Sequence, residues 1–213
     1  MNVTVFGATG AIGSLTVTEL LAAGHTVTAY ARNPKKIPAS WGDRIRLVVG
    51  DISDAAAIND AVAGADAVVS ALGPSLDPKA VGTPLIAGTR LVLAAIQKHG
   101  VRRYIGHATP AVWDLQERAT WQTRLIRFLP KTFGRRAYDE IRGMTDPVLA
   151  SDLDWTIIRF IRPTNDPKNG TVRSGFFDTD KLGFSVPRAD IAAFTAAQVD
   201  DTTYVRRAPV ISS

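Results

Sequence analysis

The chain has 213 residues, of which 46% are hydrophobic and 21% are charged, the balance of a globular domain with room for a sizeable core. It contains no cysteine, which excludes disulfides, cysteine nucleophiles and cysteine-dependent zinc sites, and no metal site is predicted. The net charge of +5 favours anionic ligands. No apolar run is long enough to span a bilayer and no signal-peptide pattern is visible, so we expect a cytoplasmic protein without a membrane span.

A glycine-rich turn follows the first predicted strand. Residues 3–6 form a short apolar run typical of a buried strand, and residues 15–23 have helical character. Between them, Gly7 permits a tight turn, Gly10 lets the backbone approach a pyrophosphate, and Gly13 lets the helix pack close to the strand. The turn therefore predicts a dinucleotide bound at a helix N-terminus, with a glycine-rich turn that binds nothing as the alternative.

The end of the second predicted strand discriminates between cofactors. Residues 25–31 predict this strand; Arg32 and Asn33 follow it, with Lys35 and Lys36 nearby. NAD-binding sites place a carboxylate here to bond the ribose 2′-hydroxyl, and none is present. The planar guanidinium of Arg32 is suited to stack on adenine and pair with a 2′-phosphate, so we predict NADP(H) rather than NAD(H). A solvated loop residue is the alternative for Arg32.

The third and fourth predicted strands, residues 45–49 and 66–70, end at further candidate cofactor-binding residues. Asp51 is placed to accept a hydrogen bond from the adenine amino group, with Ile52 against the ring. The small residues at 71–74 let the backbone lie near the nicotinamide ribose. A loop rich in proline and glycine follows.

A helix is predicted over residues 83–99 and a fifth strand over residues 101–106. Ligands of open α/β sheets bind at the carboxyl ends of the strands, so His107 and Thr109 are expected to face the reactive end of the cofactor. His107 is a candidate proton donor because imidazole titrates near neutrality. A structural hydrogen bond is the alternative role for His107.

Basic and aromatic side chains alternate along residues 113–136, where only Asp114 and Glu117 oppose the positive charge. Apolar residues at helical spacing predict an amphipathic helix, and we expect a helical lid or insertion at residues 111–136. This segment either covers the substrate, contacts another subunit or an anionic partner, or simply packs one apolar stripe on the core. Nucleic-acid binders also interleave basic and aromatic residues, but no recognised motif frames them here, so nucleic acid is not an expected partner.

The rest of the chain continues the alternation of strands and helices. The remaining predicted elements are a helix over 138–151 interrupted around Gly143 and Pro147, a strand over 154–159, a short strand over 184–186, a helix over 187–199 and an edge strand over 204–211. A turn-rich loop over 164–169 is a candidate segment for the substrate side. The pattern predicts one α/β domain over residues 1–213, with a doubly wound parallel sheet of the Rossmann type.

Several separated segments resemble the atypical short-chain dehydrogenase/reductases, in particular NAD(P)-binding, NmrA-like proteins of the flavin reductase/biliverdin reductase B type. The matching segments are GATGAIG at 7–13, ARNP at 31–34, GDISD at 50–54, SALG at 70–73, SDLDWTIIR at 151–159 and PRADIAAF at 187–194. The resemblance implies NADPH as the cofactor and a cofactor site made of Gly7, Thr9, Gly10, Ala11, Ile12, Arg32, Asn33, Asp51, Ile52, Ala71, Leu72 and Gly73.

The sequence departs from this family at the catalytic positions. Many members carry a serine pair after the fifth strand, where this chain has glycine, His107, alanine and Thr109. Either His107 or Thr109 would therefore have to substitute for the serine hydroxyl. Tyr138, followed by Arg142, resembles the family's Tyr-x-x-x-Lys pair, but arginine cannot act as a neutral base. His107, Thr109 and Tyr138 are therefore the catalytic candidates.

The resemblance implies an NADPH-dependent reductase that transfers hydride to a flavin, a quinone or a similar conjugated small-molecule acceptor. Such a transfer depends on orientation more than on a strong protein acid, because solvent can supply the proton. The alternatives are a non-catalytic NADP(H)-binding redox sensor and a carbonyl reductase, epimerase or isomerase of the same fold. A monomer and a homodimer are both compatible with the sequence.

Overall fold

The computed structural model describes residues 1–75, 77, 79–114, 117, 135–177 and 179–213. Over these residues the strands are β1 Asn2–Phe6, β2 Thr26–Ala31, β3 Ile45–Val49, β4 Ala67–Ser70, β5 Arg103–Ala108, β6 Asp154–Arg159, β7 Arg162–Thr164, β8 Arg173–Gly175, β9 Ser185–Pro187 and β10 Val210–Ser212. The α-helices are α1 Gly13–Ala22, α2 Ala55–Val62, α3 Pro84–His99, α4 Arg135–Leu149 and α5 Arg188–Ala197, and short 3-10 helices span Pro34–Lys36 and Ala39–Arg44.

Eight strands form the central sheet, in the order β3-β2-β1-β4-β5-β6-β10-β8. The first seven of these are parallel; in β1, for example, Val5 pairs with Ala29 of β2 on one side and with Val69 of β4 on the other. The strand order reverses between β1 and β4, which is the topological switch point where ligands of such sheets bind. This arrangement confirms the predicted Rossmann-type doubly wound fold.

The helices cover the sheet on both faces, which explains why its strands are continuous apolar runs. On one face Phe6 and Tyr104 pack in the core with residues of α2, α3 and α4. On the other face Val5 and Ile105 pack with residues of α1 and α5. Neighbouring residues of a strand thus enter different cores, as the alternation of strand side chains requires.

The last strand differs from its prediction. Residues 204–211 were expected to form an edge strand, but β10 begins only at Val210 and lies between β6 and β8. The edge is taken by β8, which runs antiparallel to β10 with Ile211 opposite Ser174. Strand β8 is not among the predicted strands, because three residues are too few to show a strand pattern.

Helix α4 is continuous, so the interruption predicted around Gly143 and Pro147 is wrong. Pro147 lies in the last turn of α4, where its missing N–H removes one backbone hydrogen bond close to the end of the helix without interrupting it. Gly143 lies against α3: a Cβ atom there would be 2.4 Å from Cδ1 of Ile86. Its lack of a side chain therefore allows close packing of the two helices.

Most of the predicted helical lid or insertion at 111–136 lies outside the described residues. The structure describes residues 111–114, Glu117, Arg135 and Arg136 of this segment. Within the part of the chain that the structure describes, no helix has the length and hydrophobicity to cross a membrane.

Candidate functional site

A cavity of about 460 Å³ opens at the carboxyl ends of β1 to β4, beside the switch point of the sheet. Nine of the twelve predicted cofactor-binding residues line it: Gly7, Thr9, Gly10, Arg32, Asp51, Ile52, Ala71, Leu72 and Gly73. The other lining residues are Tyr30, Ala31, Lys36, Ser75, Ala80, Val81, Pro84, Leu85, Arg136 and Glu140. The structure therefore brings most of the predicted cofactor site into one space.

The three glycines of the turn have separate structural roles. Gly7 has a φ of +77°, and a Cβ atom on it would lie 3.0 Å from the carbonyl of Ala71. The N–H of Gly10 donates to the carbonyl oxygen of Gly7 over 2.9 Å, which closes the turn. A Cβ atom on Gly13 would lie only 2.1 Å from that same oxygen. This clash confirms the packing role predicted for Gly13.

The start of α1 presents donors suited to a pyrophosphate. Among the described residues, none accepts a hydrogen bond from the N–H groups of Ala11 and Ile12, and no acidic side chain lies in the first helical turn. These two predicted residues do not line the cavity with the other nine, but they follow Gly10 directly. Free N–H groups and the positive end of the helix dipole favour an anionic ligand, so the residues of this turn fit a dinucleotide phosphate.

Asp51 offers an ionised carboxylate at the rim of the cavity. Its Oδ1 accepts from the backbone N–H of Ser53 at 3.1 Å and from the Ser53 hydroxyl at 2.9 Å. These hydrogen bonds, and the positive charge of Arg32, hold the pKa of Asp51 below its usual range. Ile52 is nearly buried beside it, and its contact with the adenine ring stays a prediction.

Tyr30, near the end of β2, holds the backbone of Asp51 in place. Its hydroxyl donates to the carbonyl oxygen of Asp51 over 2.7 Å, which joins the ends of β2 and β3. Burial first, and then the negative charges of Asp54 and Asp51, raise the pKa of Tyr30 to about 12. The hydroxyl therefore stays protonated and acts as a donor at neutral pH.

Arg32 and Asn33, which follow β2, have different surroundings. Arg32 is exposed and lines the cavity, together with Lys36. Asn33 does not line it; its Oδ1 accepts from the N–H of Lys35 at 3.0 Å and caps the short 3-10 helix. A cofactor contact of Asn33 stays a prediction.

His107 does not line the cavity and points into the layer that contains α5. Its Nε2 lies 2.9 Å from Oγ1 of Thr195, and its ring meets the edge of Phe160. Because the Thr195 hydroxyl donates to the carbonyl oxygen of Ile191, it can only accept from His107, which fixes the Nε2–H tautomer. Burial lowers the pKa of His107 to about 4.

The expectation that His107 titrates near neutrality is therefore wrong, and its role as a proton donor stays a prediction. Desolvation disfavours the imidazolium, and the ring makes the structural hydrogen bond that was the alternative role. Thr109 and Tyr138 do not line the cavity either. Oγ1 of Thr109 accepts from the N–H of Ala111 at 3.4 Å, and Tyr138 is half-buried on α4. Their catalytic roles stay predictions.

Arg136 and Glu140 line the cavity but were not among the predicted site residues. The two residues are four apart on α4, and their side chains form an ion pair with an Nη1–Oε2 distance of 3.4 Å. A charge pair of this spacing is visible in the sequence as a helix-stabilising pattern. Nothing local indicates that this end of α4 reaches the cofactor cavity, because only the tertiary packing of α4 on α3 places it there.

Comparison with known families decides what kind of dinucleotide site this is. The model of the NAD(P)H-binding family matches residues 7–202. The chain belongs to this NAD(P)H-binding family. The match covers the glycine turn, the lined cavity and the strands β2 to β6 of the parallel sheet. It confirms the predicted dinucleotide cofactor.

Curated relatives match about half of this chain. The dTDP-glucose 4,6-dehydratase of Mycolicibacterium smegmatis is 36% identical over 129 residues, which are 54% of this chain and 39% of that protein. The dihydroflavonol 4-reductase of Hordeum vulgare is 29% identical over 130 residues, 54% of this chain and 37% of that protein. The chain thus spans less than half the length of these relatives.

Solved structures superpose on all or nearly all of this chain. A short-chain dehydrogenase/reductase (wide type) of Veillonella parvula, in complex with NADP, superposes with a TM-score of 0.77 at 20% identity, covering 100% of this chain and 94% of that one. ChuY, an anaerobillin reductase of Escherichia coli O157:H7, superposes with a TM-score of 0.77 at 18% identity, covering 99% and 96%. At these identities the likeness shows the fold.

Proposed function

We propose that this family member is an NADP(H)-dependent oxidoreductase that reduces a conjugated small-molecule acceptor such as a flavin or a quinone. The observation that carries the proposal is the single cavity that joins the glycine turn, the exposed Arg32 and the wall formed by residues 71–73. A dinucleotide in an extended conformation needs these three regions at once, for its pyrophosphate, its adenosine ribose and its nicotinamide ribose.

The charges at the end of β2 support NADP(H) over NAD(H). Arg32 and Lys36 both line the cavity, and the residue after β2 that would be a carboxylate in an NAD site is Arg32 itself. Asp51, the acidic residue of this rim, follows β3 and is engaged by Ser53. Two cations beside the ribose position favour a 2′-phosphate, which carries further negative charge.

The described cavity is suited to binding and orientation rather than to acid catalysis. When bound, NADPH supplies a hydride from its nicotinamide ring. The titratable side chains that line the described cavity are Tyr30, Arg32, Lys36, Asp51, Arg136 and Glu140, and no histidine is among them. His107 is neutral and turned away. This favours an acceptor whose reduction takes its proton from water, as flavins and quinones do.

Reductases among the similar proteins support this class of reaction. The barley relative is a dihydroflavonol 4-reductase, and ChuY is an anaerobillin reductase. Within the group, the segments GATGAIG, ARNP and GDISD favour the NmrA-like flavin reductase/biliverdin reductase B type. We therefore propose the flavin reductase type as the subgroup of this chain.

The proposal is tested by following NADPH oxidation at 340 nm with FMN, a quinone and a redox dye as separate acceptors. We expect turnover with at least one acceptor, and faster turnover with NADPH than with NADH at equal concentration. Reactions without protein correct for the direct chemistry between NADPH and the acceptor. Absence of turnover with every acceptor, in a protein that binds NADPH at micromolar concentration, contradicts the reductase proposal.

A non-catalytic NADP(H)-binding sensor is the second candidate function. It is favoured by one observation: the three catalytic candidates, His107, Thr109 and Tyr138, all lie away from the lining of the described cavity. A sensor needs the dinucleotide site without the catalytic groups. The same assay separates the two functions, because a sensor binds NADPH and leaves its absorbance at 340 nm unchanged with each acceptor.

A further inference from the structure

We propose that Arg136 and Glu140 of α4 are positioning residues of the dinucleotide site, which hold the connection between β4 and α3 in place over the cavity. The described residues of this connection are 71–75, 77 and 79–83, and residues at both of its ends line the cavity. The inference rests on the proposed NADP(H) site but not on the identity of the acceptor. It assigns a role to Arg136, the last residue of the predicted basic segment, and to Glu140, which belongs to no predicted motif.

Arg136 ties the two ends of the connection to α4. Its Nη2 donates a hydrogen bond to the carbonyl oxygen of Ser75, and its Nη1 donates to the carbonyl oxygen of Gly82 at 3.3 Å. The same Nη1 donates to Oε2 of Glu140 at 3.4 Å. A guanidinium presents several donors in one plane, so a single side chain can hold acceptors from both ends of a connection.

Glu140 caps α3 from a neighbouring helix. The N-cap residue Thr83 makes no side-chain capping bond to the described chain. Instead, Oε1 of Glu140 accepts from the N–H of Leu85, in the first turn of α3, at 3.0 Å. A carboxylate at a helix N-terminus is favourable because it satisfies a free N–H and opposes the helix dipole. Glu140 therefore fixes where α3 begins.

Burial makes the two residues depend on each other. The Glu140 side chain is 1% exposed, and that of Arg136 is 30% exposed. A buried carboxylate is tolerated when its charge is paired and its oxygens are hydrogen-bonded, and Arg136 and Leu85 meet both conditions. Loss of Arg136 leaves the buried charge without its partner and releases Ser75 and Gly82 together.

At the cavity mouth, two described residues of the connection, Val81 and Gly82, are exposed. Val81 lines the cavity but is 90% exposed, so its own packing contributes little. Gly82, with a φ of +73°, adds no side chain. The contacts of Arg136 with the carbonyl oxygens of Ser75 and Gly82 therefore hold this part of the connection, which forms the outer wall of the cavity. Because these contacts do not involve the cations at Arg32 and Lys36, the wall should serve NADPH and NADH alike.

The experiment compares Arg136→Gln with Arg135→Gln. Arg135 is the adjacent residue and has the matching i,i+4 partner, Asp139, at 3.8 Å, but its side chain is 83% exposed and does not line the cavity. We measure the dissociation constants of NADPH and NADH by fluorescence titration. We also digest the protein without cofactor with trypsin. The rate of cleavage after Lys79 is measured from the appearance of the fragment that starts at Ala80.

For Arg136→Gln we expect both dissociation constants to rise about tenfold or more and by similar factors, because charge-assisted hydrogen bonds to the wall are lost. Cleavage after Lys79 should be faster than in Arg135→Gln, which should bind both cofactors within about twofold of the wild type. Arg136→Lys, which keeps the charge with fewer donors, should fall between the wild type and the glutamine variant. Glu140→Gln keeps an acceptor for the N–H of Leu85 but lacks the charge that holds Arg136. Its cleavage after Lys79 should therefore be as fast as that of Arg136→Gln.

Three outcomes would overturn the proposal. The first is cleavage and binding in Arg136→Gln equal to those of Arg135→Gln. The second is loss of NADPH binding with NADH binding retained, which would make Arg136 a direct phosphate ligand. The third outcome applies if Arg136→Gln does not fold: it is cleavage after Lys79 that is unchanged from the wild type in both Arg136→Lys and Glu140→Gln. Failure of the NADP(H) assignment is recognised separately, since the wild type would then bind NADH as tightly as NADPH.

Discussion

The guanidinium of Arg159 and the carboxylate of Glu117 form a two-point ion pair, with Nη1–Oε2 and Nη2–Oε1 distances of 2.8 and 2.6 Å. The two side chains are 0% and 2% exposed. Glu117 belongs to the segment predicted as a lid or insertion, and Arg159 ends β6. Oε1 of Glu117 also accepts from the N–H of Phe177, so the carboxylate joins three separate parts of the chain at the carboxyl edge of the sheet.

Glu117→Gln is expected to lower the free energy of unfolding by about 3–5 kcal/mol, because it leaves the charge of Arg159 buried without its counter-ion. The control is Asp60→Asn. Its ion pair with Arg46 is equally short, at 2.6 Å, but exposed, so the change should stay below about 1 kcal/mol. Urea unfolding of the three proteins measures both changes, and equal losses in the two variants would show that burial does not decide the effect.

Arg32→Ala is expected to weaken NADPH binding about tenfold to a hundredfold, because the lost guanidinium is a charge-assisted partner of the 2′-phosphate. NADH, which has no such phosphate, should lose much less. Lys35→Ala is the matched control, since Lys35 lies close by in the chain without lining the cavity. Fluorescence titration of both cofactors gives the ratio of their affinities. Equal weakening of NADPH and NADH in Arg32→Ala would contradict the NADP(H) assignment.

The buried His107 should make the protein less stable at acidic pH. Its pKa is about 4 in the folded protein and about 6.5 in an unfolded chain, so between these values the unfolded state binds the proton more readily. The stabilisation is complete above pH 6.5 and is lost as the pH falls toward 4, with a slope of at most about 1.4 kcal/mol per pH unit. Urea unfolding from pH 4 to 7 measures this slope.

His107→Gln provides the comparison for this pH dependence, because glutamine can still donate to Oγ1 of Thr195 but does not titrate. The difference in unfolding free energy between wild type and variant should vary with pH only in the window from about 4 to about 6.5. The pH profile of NADPH oxidation should show no step near pH 6.5 that the variant removes. Such a step would restore His107 as a proton donor.

Local features of the sequence were sufficient to predict the parallel sheet and one wall of the cavity. The glycine turn between β1 and α1 requires a particular backbone, which Gly7 shows with its positive φ. Asp54 caps α2, since its Oδ1 accepts from the N–H of Ala57, a role that aspartate commonly has just before a helix. Arg32 lies at the cavity because the ends of parallel strands share one edge of the sheet.

The features that sequence reasoning missed depend on contacts between distant segments. Strands β7 and β8 have three residues each and no apolar pattern, so only their partners define them. The surroundings of His107 are set by Thr195, far along the chain, which turns a candidate acid into a buried neutral ring. Arg136 and Glu140 reach the cavity because α4 packs on α3, a contact that Gly143 permits and that no local pattern reveals.

Two glycines of the turn should respond differently to the same added methyl group. At Gly13 the new Cβ would lie 2.1 Å from a backbone oxygen, so Gly13→Ala must move α1 or β1 and should cost about 1–3 kcal/mol of stability even without cofactor. At Gly10 the new Cβ meets one atom within 4 Å, the carbonyl oxygen of Gly7 at 3.2 Å, and the backbone does not need a positive φ. Gly10→Ala should therefore stay within about 1 kcal/mol of the wild type in stability.

Gly10→Ala, the variant with the smaller expected loss of stability, should nevertheless lose NADPH binding. The methyl group of Gly10→Ala occupies the surface that a pyrophosphate must approach, so NADPH binding should weaken by at least about tenfold in a stably folded protein. Urea unfolding without cofactor, followed by NADPH titration of the folded variants, separates the two effects. If Gly10→Ala binds NADPH as the wild type does, the pyrophosphate does not lie against this turn, because a methyl group at that position cannot be avoided by a ligand in contact with the backbone.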